Sequence, residues 1–284
     1  MRIRVAAATV NPTDVQMRSG EHASMMTQLE PPFIAGMEFS GQIDAVGPGI
    51  SEDMLLRQVM GIVNPRRPQG GAHADWICVA ADSVLPIEPH LDFAAVATLP
   101  MNGLSALQAL ELLALPVGGT LLVTGGVGGL GGYVIELARA SGLTVVADGN
   151  PKDEPLLREL GVNVVVPRGE EMVAAVRRMY PQGVDGLLDA ALLGTFAAAL
   201  VRDGGVAVSA RRSHSIDDPR LRCANVMVTQ LMNEATMLQR LYAHLVAGQI
   251  TPRVAARISA ANAVEAHKLV EGGGLRGRVV LMFS

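Results

Sequence analysis

Aromatic residues make up only 3% of this 284-residue chain: five Phe, three Tyr and one Trp. With a net charge of −4, this leaves neither the stacking rings nor the basic surface that nucleic acid requires. The arginine pairs at 66–67, 177–178 and 211–212 are scattered and read as solvated surface. There are only two cysteines, Cys78 and Cys223, far apart and outside any C-x-x-C pair. This argues against a disulfide framework, and two free, buried thiols in a reducing, cytoplasmic setting are expected. Charged residues are also sparse at 18%, while 49% of the chain is hydrophobic, which argues against disorder. No apolar run approaches the roughly 20 residues of a membrane span, so no membrane partner is expected. The opening "MRIRVAAATVNPTD" reads as a strand stopped at Asn11-Pro12, not as a secretion signal.

Up to about Ile87 the chain reads as strand and loop, with short apolar stretches such as "GQIDAV", "QVMGIV" and "ADWICVAA" divided by Gly, Pro, Asn and Asp. Beyond that the period changes. "TLLVT" (120–124), "LTVVA" (143–147), "VNVVV" (162–166), "VDGLLDA" (184–190) and "GGVAVSA" (204–210) are buried-strand runs separated by helical segments, with "NVMVTQL" expected as a sixth strand. A helix follows from about Asn233 to Ala247, and the chain closes on a helix, a glycine turn and one last strand. Continuous apolar strands alternating with helices predict a parallel sheet covered on both faces, an α/β fold.

Between the first such strand and its helix, Gly126, Val127, Gly128, Gly129, Leu130 and Gly131 spell G-x-G-x-x-G. In a chain with 31 glycines the pattern alone is weak. Its position, closing a strand and opening a helix inside a βαβ unit, makes it a dinucleotide cradle. Glycine lets main-chain N–H groups approach a pyrophosphate, and the helix N-terminus adds partial positive charge. The competing reading is a tight turn that holds no ligand. A Walker loop is excluded because no Lys-Ser/Thr follows. Short-chain dehydrogenase chemistry needs Tyr-x-x-x-Lys, and residues four beyond Tyr133, Tyr180 and Tyr242 are Leu137, Val184 and Val246.

The stretches "VNPTD", "PPFIAGMEFSGQIDAVGPG", "GGAHADW", "LPMNGLSALQAL", "LLVTGGVGGLGG" and "EAHKLVEGGGLRGRVVL" run in an order that resembles the medium-chain dehydrogenase/reductase superfamily. The resemblance implies a Rossmann-type doubly wound sheet plus a β-rich GroES-like catalytic domain built from both chain ends. It assigns 1–97 to the catalytic domain, 98–247 to the cofactor domain and 248–284 to the return. Zinc-dependent members carry a cysteine near "VNPTD" and Gly-His-Glu where this chain has Gly36-Met37-Glu38. A thioether is a poor zinc ligand, and two cysteines cannot build the four-cysteine lobe, so no zinc is expected.

What remains is similar to the zinc-independent quinone oxidoreductases, which pass a hydride directly to a quinone or activated enone. By that resemblance Asn11 lies near the nicotinamide, Ser105 takes the place of a threonine facing the ring, and His22 is a candidate donor to substrate. Asp148, near the end of the second strand, would hold an adenosine ribose and favour NADH. Lys152 falls where relatives bind the 2′-phosphate of NADPH, Arg168 falls near a tyrosine that flanks the same adenine site, and the two cations together favour NADPH. Family members usually carry a further strand pair ahead of "RIRVAAATVNPTD", so an exposed strand edge or a widened cleft is expected here. Homodimerisation is implied by resemblance alone. The alternatives are a 2-enoyl thioester reductase and a non-catalytic cofactor-binding protein.

Overall fold

A computed structural model describes residues 1–284, and the chain divides into two compact units. The first comprises Met1–Leu104, Thr229–Ala243 and Pro252–Ser284; the second comprises Ser105–Val228 and His244–Thr251.

The first unit is organised on a seven-stranded sheet. Strand β1 (Arg2–Val10) is central, followed by helix α1 (Pro12–Ser19) and strands β2 (Glu38–Ala45), β3 (Gln58–Ile62), β4 (Trp76–Cys78) and β5 (Val84–Pro86). Helices α2 (Phe93–Val96) and α3 (Pro100–Leu113) come next. The main path runs β12-β13-β1-β2-β3-β5, where β12 is Val254–Ser259 and β13 is Arg278–Met282. On one edge of β1, residues Arg2–Arg4 face Cys78–Trp76 and Ala7–Val10 face Met282–Val279. Both chain ends thus enter one sheet. Alternating residues Ile3 and Val5, with Ala8, Phe39, Ile43 and Val59, form its core. Helix α8 (Ala235–Val246) precedes β12, and α9 (Ala263–Gly272) lies between β12 and β13.

The second unit is a six-stranded parallel sheet in the order β11-β10-β9-β6-β7-β8. Its strands are β6 (Thr120–Thr124), β7 (Thr144–Gly149), β8 (Val164–Pro167), β9 (Val184–Asp189), β10 (Val201–Ser209) and β11 (Arg222–Asn225). The connecting helices are α4 (Gly129–Ala140), α5 (Glu154–Leu160), α6 (Glu171–Met179) and α7 (Thr195–Ala198). Strand order reverses between β6 and β9, the point where a doubly wound sheet opens a crevice at its carboxyl ends. Helix α6 carries Glu171 in its first turn and Arg177 and Arg178 in its last, which complements the helix dipole.

Four expectations need correction. The front of the chain is not only strand and loop, because Asn-Pro-Thr-Asp starts α1. Proline at the first helical position costs no hydrogen bond, and the Asp14 carboxylate accepts from the Asn11 N–H at 2.7 Å. "NVMVTQL" is not a strand: β11 ends at Asn225, and a 3-10 turn occupies Val228–Leu231. The two cysteines are free but exposed, since Cys78 and Cys223 point away from the core on short strands. Finally, the helical stretch 93–113 is long and apolar enough to cross a membrane, and most of it is buried inside the fold.

Candidate cofactor cradle and active site

The turn after β6 is fixed by what its glycines must avoid. Gly125 sits at φ +69°, in the left-handed region. A Cβ at Gly131 would lie 2.4 Å from the Gly125 carbonyl oxygen, and one at Gly126 would lie 2.8 Å from Ile135 Cδ1. Packing therefore demands glycine at both positions. Gly128 differs: a Cβ there would meet only the Gly125 oxygen, at 3.1 Å. No side chain lies within 4 Å of that Cβ position, which is half-buried at the N-cap of the 12-residue α4, and only the Gly125 carbonyl would have to give slightly. That is the arrangement of a helix N-terminus able to receive a phosphate.

Polar side chains tie the carboxyl ends of three adjacent strands around this turn. Thr124 Oγ1, ending β6, donates to Asp189 Oδ1 of β9 at 2.7 Å and accepts from the Ala191 N–H at 3.0 Å. Asp189 also accepts the Leu193 and Gly194 N–H groups. Asp148 in β7 accepts the Gly125 N–H at 2.6 Å and the Arg168 Nε–H at 2.8 Å. Asp148 is 4% exposed, so its carboxylate is closed between the turn and a cation and does not face outward. Lys152, in the 3-10 turn Pro151–Asp153, is exposed and forms no ion pair.

The first unit holds a different kind of cluster. Glu38, at the start of β2, is wholly buried. Its Oε1 accepts from Thr9 Oγ1, from Asn11 Nδ2 at 3.3 Å and from Arg278 Nη2 at 3.2 Å. Its Oε2 accepts the Met101 N–H at 2.7 Å. Arg278 also donates to Asn11 Oδ1, and Asn102, with its amide oxygen turned inward, accepts from Arg278 Nη1 at 3.0 Å. Burial pushes the Glu38 carboxyl above the ordinary carboxylate range, while Arg278, Thr9, Met101 and Asn11 pull the other way. Asn11 is fully buried with both ends of its carboxamide engaged, so it locks the corner between β1 and α1.

The alcohol dehydrogenase GroES-like domain family matches residues 1–89, and the zinc-binding dehydrogenase family matches residues 160–281. The chain belongs to the medium-chain dehydrogenase/reductase superfamily. It is 26% identical over 287 residues to the 2-methylene-furan-3-one reductase of Solanum lycopersicum, covering 98% of this chain and 70% of that one. It is also 26% identical over 259 residues to a chloroplastic NADPH-dependent alkenal/one oxidoreductase of Arabidopsis thaliana, covering 89% of this chain and 63% of the relative. The quinone oxidoreductase structure from Coxiella burnetii superposes with a TM-score of 0.83 at 25% identity, covering 100% of this chain and 90% of that one.

For a medium-chain dehydrogenase/reductase the zinc question turns on the donor set. Met37 is buried, and its Sδ accepts from Thr13 Oγ1 at 3.3 Å. Glu38 is enclosed by the partners described above. No group of three or more His, Cys, Asp or Glu side chains is placed to hold a metal ion. The residues at the superfamily's zinc positions therefore do not fit zinc, whatever the name of the matching family.

The remaining candidate residues fall on separate elements. Ser105 is buried in α3 and belongs to the second unit, whereas half-buried His22, just before the 3-10 turn Ala23–Met25, belongs to the first. Glu38, Arg278, Thr9 and Asn102 were not singled out as site residues in the sequence. For Glu38, Arg278 and Asn102 only their presence inside resembling stretches, "GMEFSG", "GLRGRVVL" and "LPMNG", hinted at them, and Thr9 lies just ahead of "VNPTD".

Proposed function

We propose that this chain is an NADPH-dependent, metal-free oxidoreductase acting on a quinone or an activated enone. The observation that carries the reading is the closure of Asp148. An acid that selects NADH must offer its oxygens to the ribose hydroxyls. Here one oxygen takes the Gly125 N–H and the other takes Arg168, which neutralises the charge that would repel a 2′-phosphate. Exposed Lys152, in the 3-10 turn that follows β7, then supplies an uncommitted cation. The alkenal/one oxidoreductase relative, NADPH-dependent by name, supports the same preference.

Gly126 to Gly131 would hold the pyrophosphate, with Lys152 and Arg168 toward the 2′-phosphate. Bound there, the nicotinamide supplies a hydride. Asn11, fixed by Thr9, Glu38 and Arg278, holds the strand-to-helix corner of the first unit, and the family resemblance assigns it to the catalytic residues. The hydroxyl of Ser105 and the imidazole of His22 are the groups assigned to orient substrate and to return a proton to the acceptor oxygen. An electron-poor acceptor needs no Lewis acid, and hydrogen bonds to its developing oxyanion suffice. The misfit of Met37 and Glu38 to zinc supports this metal-free chemistry. The reading includes a homodimer, by family resemblance alone, and a reducing, cytoplasmic compartment, which the two unpaired cysteines support.

Calorimetric titration with NADPH and with NADH, followed by turnover on one quinone and one enone with and without chelator, tests it. Tight NADPH binding, weaker NADH binding and chelator-resistant turnover are expected. Preference for NADH overturns the role given to Arg168, and loss of turnover on chelation overturns the metal-free chemistry.

A further inference from the structure

Away from the glycine turn, the first unit contains a cavity of about 220 Å³ whose polar wall consists of Asn64, Arg67, Ser83, Thr229 and Asn233. Arg67 is an unusual cation. Its Nε donates to the Gly70 carbonyl at 2.8 Å and its Nη1 to the Cys78 carbonyl at 2.7 Å, two bonds that fix the plane of the fork. Its Nη2 is buried and meets no acceptor. No carboxylate forms an ion pair with it; Glu30 lines an adjoining cavity without reaching ion-pair distance. Burial lowers the guanidinium pKa, and the Cys78 thiol is the one group that opposes this shift. A half-buried guanidinium held only by neutral carbonyls, with its Nη2 enclosed, lacks its counter-ion.

The neighbouring amides are oriented the same way. Asn64 Oδ1 accepts the Arg66 N–H at 3.0 Å, and Asn233 Oδ1 accepts Ser83 Oγ–H at 2.8 Å. With both carboxamide oxygens engaged, each residue is left with its NH₂ end as the unused group. The wall thus offers one cation, two amide donors and the Thr229 hydroxyl, and no acid lines it.

We propose that this cavity binds a small oxyanion, a phosphate or a carboxylate, with Arg67 as counter-charge and Asn64 and Asn233 as donors. Planar guanidinium and convergent N–H groups match the geometry of both anions. The site belongs to the first unit, the glycine turn belongs to the second, and the proposal does not rest on the cofactor reading.

The test compares melting temperatures of the whole chain in chloride and in inorganic phosphate at equal pH and ionic strength. At ten times the dissociation constant, phosphate is expected to raise Tm by about 3 °C. Asn64→Asp keeps the acceptor for the Arg66 N–H and adds the missing counter-ion. It is expected to start with a higher Tm in chloride and to show no phosphate response, while its NADPH titration stays unchanged. Gly128→Asp, which blocks the cofactor turn, is expected to keep the full phosphate response. A parallel series in acetate distinguishes the sources: a rise in both salts assigns a carboxylate-bearing ligand, and a rise in phosphate alone assigns a phosphate-bearing one. Equal Tm in chloride, phosphate and acetate overturns the proposal. So does a phosphate response that survives in Asn64→Asp or disappears in Gly128→Asp.

Discussion

The turn at Gly125–Gly131 and the cluster around Glu38 both gather hydrogen-bonding groups at a strand end, and they treat those groups oppositely. Around Glu38 every carboxylate oxygen is met from inside the protein, and the cluster is closed to solvent. At the turn the glycines that packing demands, Gly126 and Gly131, flank one that packing does not, Gly128. The first arrangement fixes a shape, whereas the second leaves room for a guest. Stability and ligand affinity should therefore be separable by mutation.

The sharpest test of that separation is Gly128→Asp, which places a carboxylate at the N-cap of α4. NADPH affinity is expected to fall at least ~100-fold with stability nearly unchanged, as measured by calorimetry and thermal melting. An unaltered affinity would break the comparison at its root. Glu38→Gln should do the reverse: Arg278 loses its counter-charge in the interior, and denaturant unfolding is expected to show a loss of about 3 kcal/mol. Gly131→Ala belongs to both sides. Its methyl would press on the Gly125 oxygen, costing about 1–3 kcal/mol and weakening the cofactor together with the fold.

Lys152→Ala should change neither fold nor NADH binding, yet weaken NADPH about tenfold in the same calorimetric titration. Equal effects on the two cofactors would remove Lys152 from the 2′-phosphate. The smallest effect concerns His267, stacked edge-on to His73 at 6.1 Å. Burial, His73 and Arg18 lower its pKa below the ordinary 6.5, while Asp14 and Glu271 oppose this. The unfolded chain then takes up the proton first, so stability falls as pH drops from about 6.5 toward the folded value. His267→Gln is expected to flatten this part of the Tm-versus-pH curve, and an unchanged slope would assign it to other groups.

The parallel sheet was legible because its strands are buried on both faces and each is followed by a helical period, as in "TLLVT" and "LTVVA". The glycine motif was legible because its spacing is local. Asn-Pro-x-Asp also carries a local helix-start signal, masked by the strand-like runs on either side of it. The pairing of Glu38 with Arg278 leaves no such trace. The partners are 240 residues apart, and nothing in either neighbourhood announces a buried charge. "NVMVTQL" misled for a related reason: its apolar alternation suits a strand, but β11 stops at Asn225 and a 3-10 turn takes over. The exposure of Cys78 followed from its parity on β4, where Ile77 alone turns inward.

The placement of β1 between β2 on one edge and β4 and β13 on the other carries a consequence for synthesis. Residues 7–10 cannot find their β13 partners until residue 282 has left the ribosome. The second unit, nearly all of it contiguous from Ser105 to Val228, has no such wait. The later-translated unit should therefore be first to reach its native topology, while the earlier one remains an incomplete sheet for most of translation. Its unfilled edge at β1 is then the segment most in need of a chaperone, and slow elongation through residues 252–284 would prolong that exposure.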